Sequence, residues 1–453
     1  MNVQDIRRKV RELMPGAVED LKRLVRIPSV AFPGFPPAPV MEMAEATVGL
    51  LKRSGVENAR LLDVPGGYPA VYAEIPAPPG APSVLLYAHY DVQPAGKDQG
   101  WQGDPWDPAV RDGRLYGRGT ADDKSGILVH AASLQVFGGR PPIGVRVVIE
   151  GEEETTSHLH EFIRDHPDLF QCDLIIVCDL GSLAAGEPAL NTALRGEVSC
   201  LVTVRTLAHA VHSGTFGGPA PDALVALIRM MAALHQDDGN VAIPGLAAYP
   251  WEGQDFPVER FREVAGVQEG VDLIGTGSIS TRLWSKPSVT VIGIDAPPTR
   301  EAVNILIPEA TARVSMRIAP GADPEQELQK LREFLQAQVP WHAGVEVTRV
   351  RASAGFVCPK GGRGYALARR AMEAAYGTPV QEIGSGGSIP LLQVLAAAVP
   401  GAEFVLWGCE DMEHSRTHGP EESVDLGELE RMVLTQTLLV QALGDEWMMG
   451  ESS

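Results

Sequence analysis

Between Val84 and Gly126 the chain reads VLLYAHYDVQPAGKDQGWQGDPWDPAVRDGRLYGRGTADDKSG, and no other stretch limits the possible folds as much. Val84–Tyr87 is a short apolar run bounded by polar residues, the pattern of a buried strand. It delivers His89 and Asp91, and side chains two apart on an extended segment point to one face. That spacing suits a metal-binding imidazole with a carboxylate behind it, which fixes the tautomer and raises ligand basicity. After a Gly-rich turn at Gly117 and Gly119 comes Thr120-Ala121-Asp122-Asp123-Lys124. Alone, His89 would read as a satisfied core histidine; with Asp91 and Asp122 it reads as a metal ligand.

The same pattern recurs along the chain. Val145–Ile149 runs into Glu150-Gly151-Glu152-Glu153-Glu154, Leu174–Cys178 ends in Asp179, and Phe404–Trp407 precedes His414 and His418. In open α/β sheets, ligands bind beyond the carboxyl ends of the strands. His89, Asp122, Glu153, Glu154, Asp179 and His418 are therefore expected at one edge of one sheet. Carboxylates mixed with imidazoles, without thiolate, suit zinc, manganese or cobalt. Their number exceeds the needs of one ion and fits two divalent ions sharing a carboxylate. Such a pair acidifies a water and polarises a carbonyl, and a carboxylate that is not a ligand can carry the proton to a leaving amine. The adjacent Glu153 and Glu154 offer one residue for each task. In isolation EEE would be a solvated acidic turn; its place after an apolar strand argues against that.

At 453 residues the chain exceeds a typical single core, so two domains are expected. Residues 3–26 carry apolar positions at helical spacing and read as one or two helices interrupted near Pro15-Gly16. The character changes near Leu194-Arg195-Gly196. A strand at Glu197–Val204, a helix at Asp222–Leu234, strands at Val289–Ile294 and Ala312–Ile318, a helix at Asp323–Gln338 and a strand at Val345–Val350 follow. That β-α-β-β-α-β order resembles the ferredoxin-like split βαβ arrangement. It predicts an inserted domain over 196–352, between catalytic parts at 1–195 and 353–453. Residues 237–287 show no strong periodicity. Gly384-Ser385-Gly386-Gly387-Ser388 lacks the Lys of a phosphate loop and reads either as a flexible turn or as a backbone cradle for a carboxylate. Neither a GxSxG elbow nor a Walker-type loop occurs.

The formal net charge is −20, which argues against nucleic acid as a partner, because phosphate binding needs a basic footprint. The five cysteines are odd in number and form no CxxC, as expected of reduced thiols rather than a disulfide framework. The first residues lack the apolar core of a signal peptide, and no spanning segment is present. A cytoplasmic location away from membranes is the expectation.

Taken in order, AHYDVQP, LYGRGTADDKSG, EGEEETTS, the VCD ending at Asp179, AVHSGTFGG, GGSIP and THGPEESV resemble the co-catalytic zinc metallopeptidases. That group holds carnosine-type dipeptidases, glutamate carboxypeptidases, aminoacylases and succinyl-diaminopimelate desuccinylases. The resemblance runs from about residue 20 to 425, and HYDVQP with the LYGRG segment looks most like the dipeptidase branch. It implies an α/β, zinc-peptidase-like catalytic domain with a mostly parallel central sheet, and an inserted ferredoxin-like lid and dimerisation domain. It implies two divalent ions, zinc or else manganese or cobalt. Asp122 would bridge them, His89 and Asp179 would complete one site, and Glu154 and His418 the other. Asp91 would orient His89, and Glu153 would be general base and acid. His212 would steady the oxyanion in the partner subunit's site of a homodimer. Arg317 and Ser388 would hold the substrate's terminal carboxylate, with Asn304 near a polar lid position. Two positions depart from the family pattern: Ala210-Val211 stands where Asp-Leu often precedes His-Ser-Gly, and Asn304 lies one residue further from Pro308 than usual. The implied substrates are dipeptides or short peptides. An N-acyl-amino-acid deacylase using the same site is the alternative enzyme. A catalytically silent binding protein is the alternative outside enzymes.

Overall fold

A computed structural model describes residues 1–96 and 100–449; residues 97–99, inside the Val84–Gly126 stretch, lie outside it. The chain opens with α1 (Val3–Val25), α2 (Ala38–Arg53), β1 (Arg60–Leu62), β2 (Ala70–Ile75) and β3 (Ser83–His89), followed by α3 (Lys124–Val136), β4 (Gly144–Glu150) and β5 (Leu174–Val177). Next come β6 (Gly196–Arg205), α4 (Ala223–Ala232), β7 (Ser288–Asp295), β8 (Glu309–Ile318), α5 (Pro324–Ala337) and β9 (Gly344–Ser353). The chain closes with α6 (Arg363–Tyr376), β10 (Glu403–Leu406) and α7 (Leu426–Met449). These elements fall into two compact units. One holds Met1–Thr192, Cys358–Ile383 and the chain from Leu391 on; the other holds Ala193–Val357 and Gly384–Pro390.

In the first unit a six-stranded sheet has the order β1-β2-β4-β3-β5-β10. Its β4–β3, β3–β5 and β5–β10 pairings are parallel, whereas β1–β2 and β2–β4 are antiparallel. The sheet is thus mixed rather than mostly parallel. The short Gly66-Gly67 connection from β1 to β2 can only return the chain antiparallel, because parallel neighbours need a long crossover. The parallel strands are mostly apolar and buried, as expected of strands covered on both faces, with Arg146 of β4 a half-buried exception.

Helix α3 packs against both α1 and α7, and all its residues except Gln135 are buried. A helix buried all round belongs to the core rather than to the surface. Helix α1 runs unbroken through Pro15, contrary to the expected interruption. Pro15 is exposed, while Ile6, Val10, Met14, Ala17, Leu21 and Leu24 form a continuous buried stripe. Proline inside a helix costs about 3 kcal/mol. Each fully buried aliphatic side chain returns roughly 1.5–3 kcal/mol, so the stripe outweighs the local penalty.

The second unit is built on an antiparallel sheet of order β7-β8-β6-β9. Helices α4 and α5 pack against it. Val198, Cys200, Val202 and Val204 of β6 alternate inward onto Leu227 and Met230 of α4 and Leu328, Leu331 and Leu335 of α5. Asp222 and Asp323 cap the two helices through their side chains, each contact worth about 0.5–2 kcal/mol. Within 237–287 the chain is mostly irregular but includes a helix at Val258–Val264.

Candidate metal centre

Four parallel strands bring their carboxyl ends to one edge of the central sheet. There β3 ends at His89, which is in register with Glu150 of β4. Beyond β4 comes the Glu153-Glu154 turn, beyond β5 Asp179, and beyond β10 Glu410. Asp122 arrives separately, on the turn before α3, and the buried Glu422 fixes that turn. Its Oε1 accepts from the backbone N–H of Ala121 (3.0 Å) and Asp122 (3.1 Å). Its Oε2 accepts from Gly119 N–H (3.0 Å) and Arg118 Nη1 (2.6 Å). Gly119 has φ +80°, and a Cβ there would lie 2.6 Å from Val92 Cγ1, so the turn needs glycine. Asp123 makes backbone contacts: Oδ1 caps α3 through Gly126 N–H (3.1 Å), and Oδ2 accepts from His89 N–H (3.1 Å).

The carboxylate of Asp122 lies between two imidazoles. Oδ1 is 2.9 Å from His89 Nε2 and Oδ2 is 3.0 Å from His418 Nε2. Asp179 Oδ1 is 3.3 Å from His89 Nε2, and Glu154 Oε1 is 3.5 Å from His418 Nε2. Asp122, Glu154 and His418 can place one ligand atom each within 4.8 Å of one another, as can His89, Asp123 and Asp179, and Asp122, Asp179 and Glu410. Glu154 Oε2 accepts from Gln93 Nε2 (2.7 Å), but its Oε1 is buried without a hydrogen-bond partner. Buried polar atoms are rarely left so. An orphaned carboxylate oxygen beside an imidazole and a second carboxylate is a donor set that fits a divalent cation. His418 holds φ +63°, a strained backbone of the kind that concentrates at functional sites.

Asp91 touches His89 more closely through its backbone than its side chain: His89 Nδ1 is 3.0 Å from the carbonyl oxygen and 3.4 Å from Oδ1. Its carboxylate instead accepts from Glu153 N–H (3.1 Å) and Glu154 N–H (3.0 Å), which fixes the turn carrying both glutamates.

Charge follows from this crowding. Burial opposes ionisation of Asp122, but hydrogen bonds from His418 and His89 outweigh it and hold the carboxyl below the usual range. Burial, with Asp179 beside it, pushes Glu153 well above the usual range. Burial and Asp122 push Glu154 up to about 8, and burial with Asp122 and Asp179 raises Glu410. The imidazoles shift the other way. Burial disfavours charge on His89, yet Asp179, Asp122 and Asp91 raise it well above normal, and His418 reaches about 9 beside Asp122 and Glu154. With every carboxyl ionised the cluster would hold more negative charge than its two imidazoles balance, and the upward shifts of Glu153, Glu154 and Glu410 express that crowding.

The other four candidates lie in the second unit. His212 is exposed, and its Nδ1 accepts from Gly214 N–H (3.0 Å), so the neutral ring carries its proton on Nε2. Asn304 is its neighbour: its carbonyl accepts from Ser213 N–H (3.0 Å), while the residue itself is exposed. The side chain of Arg317 is 35% exposed, with Nη1 3.8 Å from Glu197 Oε2. Ser388 is half-buried in the Gly-rich turn.

The sequence profile of peptidase family M20/M25/M40 matches residues 85–442. The chain belongs to this family. It is 37% identical over 372 residues to the cysteinylglycine-S-conjugate dipeptidase of Corynebacterium striatum, covering 80% of this chain and 82% of that protein. It is 28% identical over 371 residues to the Beta-Ala-His dipeptidase of Rattus norvegicus, covering 77% and 75%. The fold matches the dipeptidase Dug1p of Saccharomyces cerevisiae with a TM-score of 0.85 at 21% identity, over 98% of this chain and 99% of that one. Human carnosine dipeptidase 1 matches with a TM-score of 0.84 at 22% identity, over the same shares.

Two acidic residues of this M20/M25/M40 peptidase escaped the reading of motifs. Glu410 follows an apolar strand just as Asp179 does, so the same signal was present. Glu422 lies within THGPEESV, but a carboxylate serving backbone N–H groups and a buried arginine has no pattern in sequence that separates it from a ligand.

Proposed function

We propose that the protein is a two-metal dipeptidase that hydrolyses the amide bond of dipeptides or short peptides. The observation that carries this reading is the position of Asp122 between the Nε2 atoms of His89 and His418, at 2.9 and 3.0 Å. A carboxylate shared by two sites would have this arrangement. Asp122 would be common to both ions, with His89 and Asp179 on one and Glu154 and His418 on the other. Two bound divalent ions, zinc with manganese or cobalt as substitutes, would supply an acidified water and a polarised carbonyl.

Glu153 is the proton carrier in this reading. Held beside the proposed ligands Glu154 and Asp179, it would take the proton from water and pass it to the leaving amine. Asp91 keeps Glu153 in place through its backbone. Nε2–H of His212, acting from a partner subunit, would donate to the oxygen on which charge develops. Arg317 and Ser388 would receive the terminal carboxylate, with Asn304 beside His212. The dipeptide class is supported by relatives named for cysteinylglycine conjugates and Beta-Ala-His. A homodimer through the second unit is supported by Val225 and Ile228, exposed on α4, and by Ile292 and Ile294, exposed on the edge strand β7. Five free cysteines favour a reducing, cytoplasmic setting.

The test is a panel of dipeptides and N-acyl amino acids, assayed after chelation and again after adding Zn²⁺, Mn²⁺ or Co²⁺. Dipeptide hydrolysis should vanish with chelator and return with metal. Full activity in a preparation shown to be metal-free would end the two-metal reading. Faster cleavage of N-acyl amino acids would replace dipeptidase with deacylase.

A further inference from the structure

Three acidic residues in the loop after β10 each face an arginine. Asp411 lies 2.7 Å from Arg114 Nη2, Glu421 2.5 Å from Arg111 Nη2 and Glu422 2.6 Å from Arg118 Nη1. Glu410, which opens the same loop, differs from them. Among the described residues, its carboxylate has no hydrogen-bond donor and no ion-pair cation against it.

Two glycines set where Glu410 lies. Glu410 and Asp411 pair in parallel with Gly181 and Ser182, just past Asp179. A Cβ on Gly181 would lie 2.5 Å from Glu410 Cβ, and one on Gly408 would collide with Leu180 O. A side chain at either position would hold the two segments apart. With glycine at both, the chain beyond β10 closes on the chain beyond β5. A ligand atom of Glu410 then lies within 4.8 Å of one from Asp179 and one from Asp122. Three carboxylates this close repel one another unless a cation lies among them. His89 Nε2 meets two of the three, Asp122 at 2.9 Å and Asp179 at 3.3 Å, and makes no ion pair with Glu410. Asp123 is the other carboxylate within reach of His89 and Asp179. Both of its oxygens already accept backbone N–H groups, from Gly126 and His89, each at 3.1 Å. Glu410 has no such commitment.

We infer that Glu410 is a fourth protein ligand to the ion held by His89, Asp122 and Asp179. The assignment rests on the two-metal reading and adds a residue that the family motifs do not supply. It makes the two sites unlike. One would have three carboxylates and one imidazole. The other, with Asp122, Glu154 and His418, would have three protein ligands and keep an open position, as catalytic sites do. Oxygen-rich sites suit manganese, whereas imidazole favours zinc. Loss of the Glu410 carboxylate should therefore weaken manganese binding more than zinc binding.

The test titrates metal-free enzyme with Zn²⁺ and with Mn²⁺ against a competing chelator. The wild type should bind two ions. In Glu410→Gln one of the two steps should weaken by more than about 100-fold, beyond the 10–100-fold typical of groups that only orient a ligand. The loss should be larger for Mn²⁺. Glu421→Gln removes the same charge from the same loop and is the control. A Glu410→Gln loss no larger than that of Glu421→Gln would overturn the assignment. A second measurement needs no variant. Anomalous diffraction from crystals of the zinc-loaded wild type should place a Glu410 oxygen about 2.0–2.2 Å from the ion of His89 and Asp179. A Glu410 carboxylate beyond bonding distance would also overturn it. A wild type that binds no metal would end both this assignment and the two-metal reading. Ions bound through Glu410 in a protein that cleaves no dipeptide would end the dipeptidase reading and leave the ligand standing.

Discussion

The two units carry unbalanced charge of opposite sign. At the sheet edge of the first, Asp122, Glu153, Glu154, Asp179 and Glu410 crowd around two imidazoles, and one carboxylate oxygen is buried without a partner. In the second, Arg317 lies 3.8 Å from the Glu197 carboxylate, and Arg195 Nε is buried without a hydrogen-bond partner. Both arrangements cost free energy in isolation, because buried charge is tolerated only when paired. The deficit of the first unit is one that divalent cations would relieve.

The sharpest way to break this contrast is to ask whether every carboxylate of the negative cluster serves a cation. Glu153 and Glu154 are adjacent, and only Glu154 has an orphaned oxygen. Glu153→Gln should lower kcat by about 10²–10⁴-fold, the usual contribution of a general acid–base group, and retain both metals by elemental analysis. Glu154→Gln should lose activity together with metal. Equal metal loss in the two variants would shift the assignment by one residue.

His212 is the next largest effect and concerns the second unit, where the proposed donor is neutral rather than charged. His212→Ala should reduce turnover by about 10²–10³-fold, as removal of one oxyanion donor does elsewhere, with metal content unchanged. Mixing it with Glu153→Gln should restore activity in heterodimers, which pair an intact Glu153 with a partner's His212. Heterodimers that form and stay inactive would place His212 within its own subunit; a fully active His212→Ala would remove it from the chemistry.

Glu422 tests whether the negative cluster is built or merely crowded. It contacts the Asp122 turn through three backbone N–H groups. In Glu422→Gln one oxygen becomes a donor facing donors. Outer groups that orient metal ligands typically account for 10–100-fold in metal affinity, and a loss of that size is expected in a competitive chelator titration. Unaltered affinity would mean that the turn holds its shape without Glu422.

These cases also show what could be read from the sequence. The parallel centre of the sheet was legible because β3, β4 and β5 are apolar runs, each followed by His or acid. The antiparallel flank was not, since register and direction depend on short connections that carry no periodicity. His89, Asp122 and Asp179 were legible as residue types at strand ends. Glu422 was not, because its role lies in its partners, which leave no mark on residue order. The continuity of α1 through Pro15 was hidden for a related reason: the breaker is local, whereas the stripe that overrides it is tertiary.

The smallest expected effect separates burial from neighbouring charge as the source of the shifted imidazoles. His130, in the same unit as His418, is fully buried on α3 with Nε2 2.9 Å from Tyr87 O and Nδ1 3.0 Å from Gln436 Oε1. It has no carboxylate against it, and burial, opposed only weakly by those hydrogen bonds, pushes it down to about 4, where His418 beside Asp122 and Glu154 stands near 9. Between pH 6.5 and 4 the unfolded chain binds a proton at His130 that the folded chain does not. Its stabilising contribution is therefore complete above about pH 6.5, the unfolded value, and is lost as pH falls toward the folded value. At pH 5 the loss should be about 2 kcal/mol relative to pH 7.5. Replacing His130 by Gln should remove that increment from the pH dependence of unfolding, whatever it does to stability at neutral pH. Denaturation of the metal-free protein at the two pH values, wild type against His130→Gln, measures it. An identical acid-induced loss in both proteins would mean that His130 is already charged in the fold, and that burial alone does not set imidazole charge in this core.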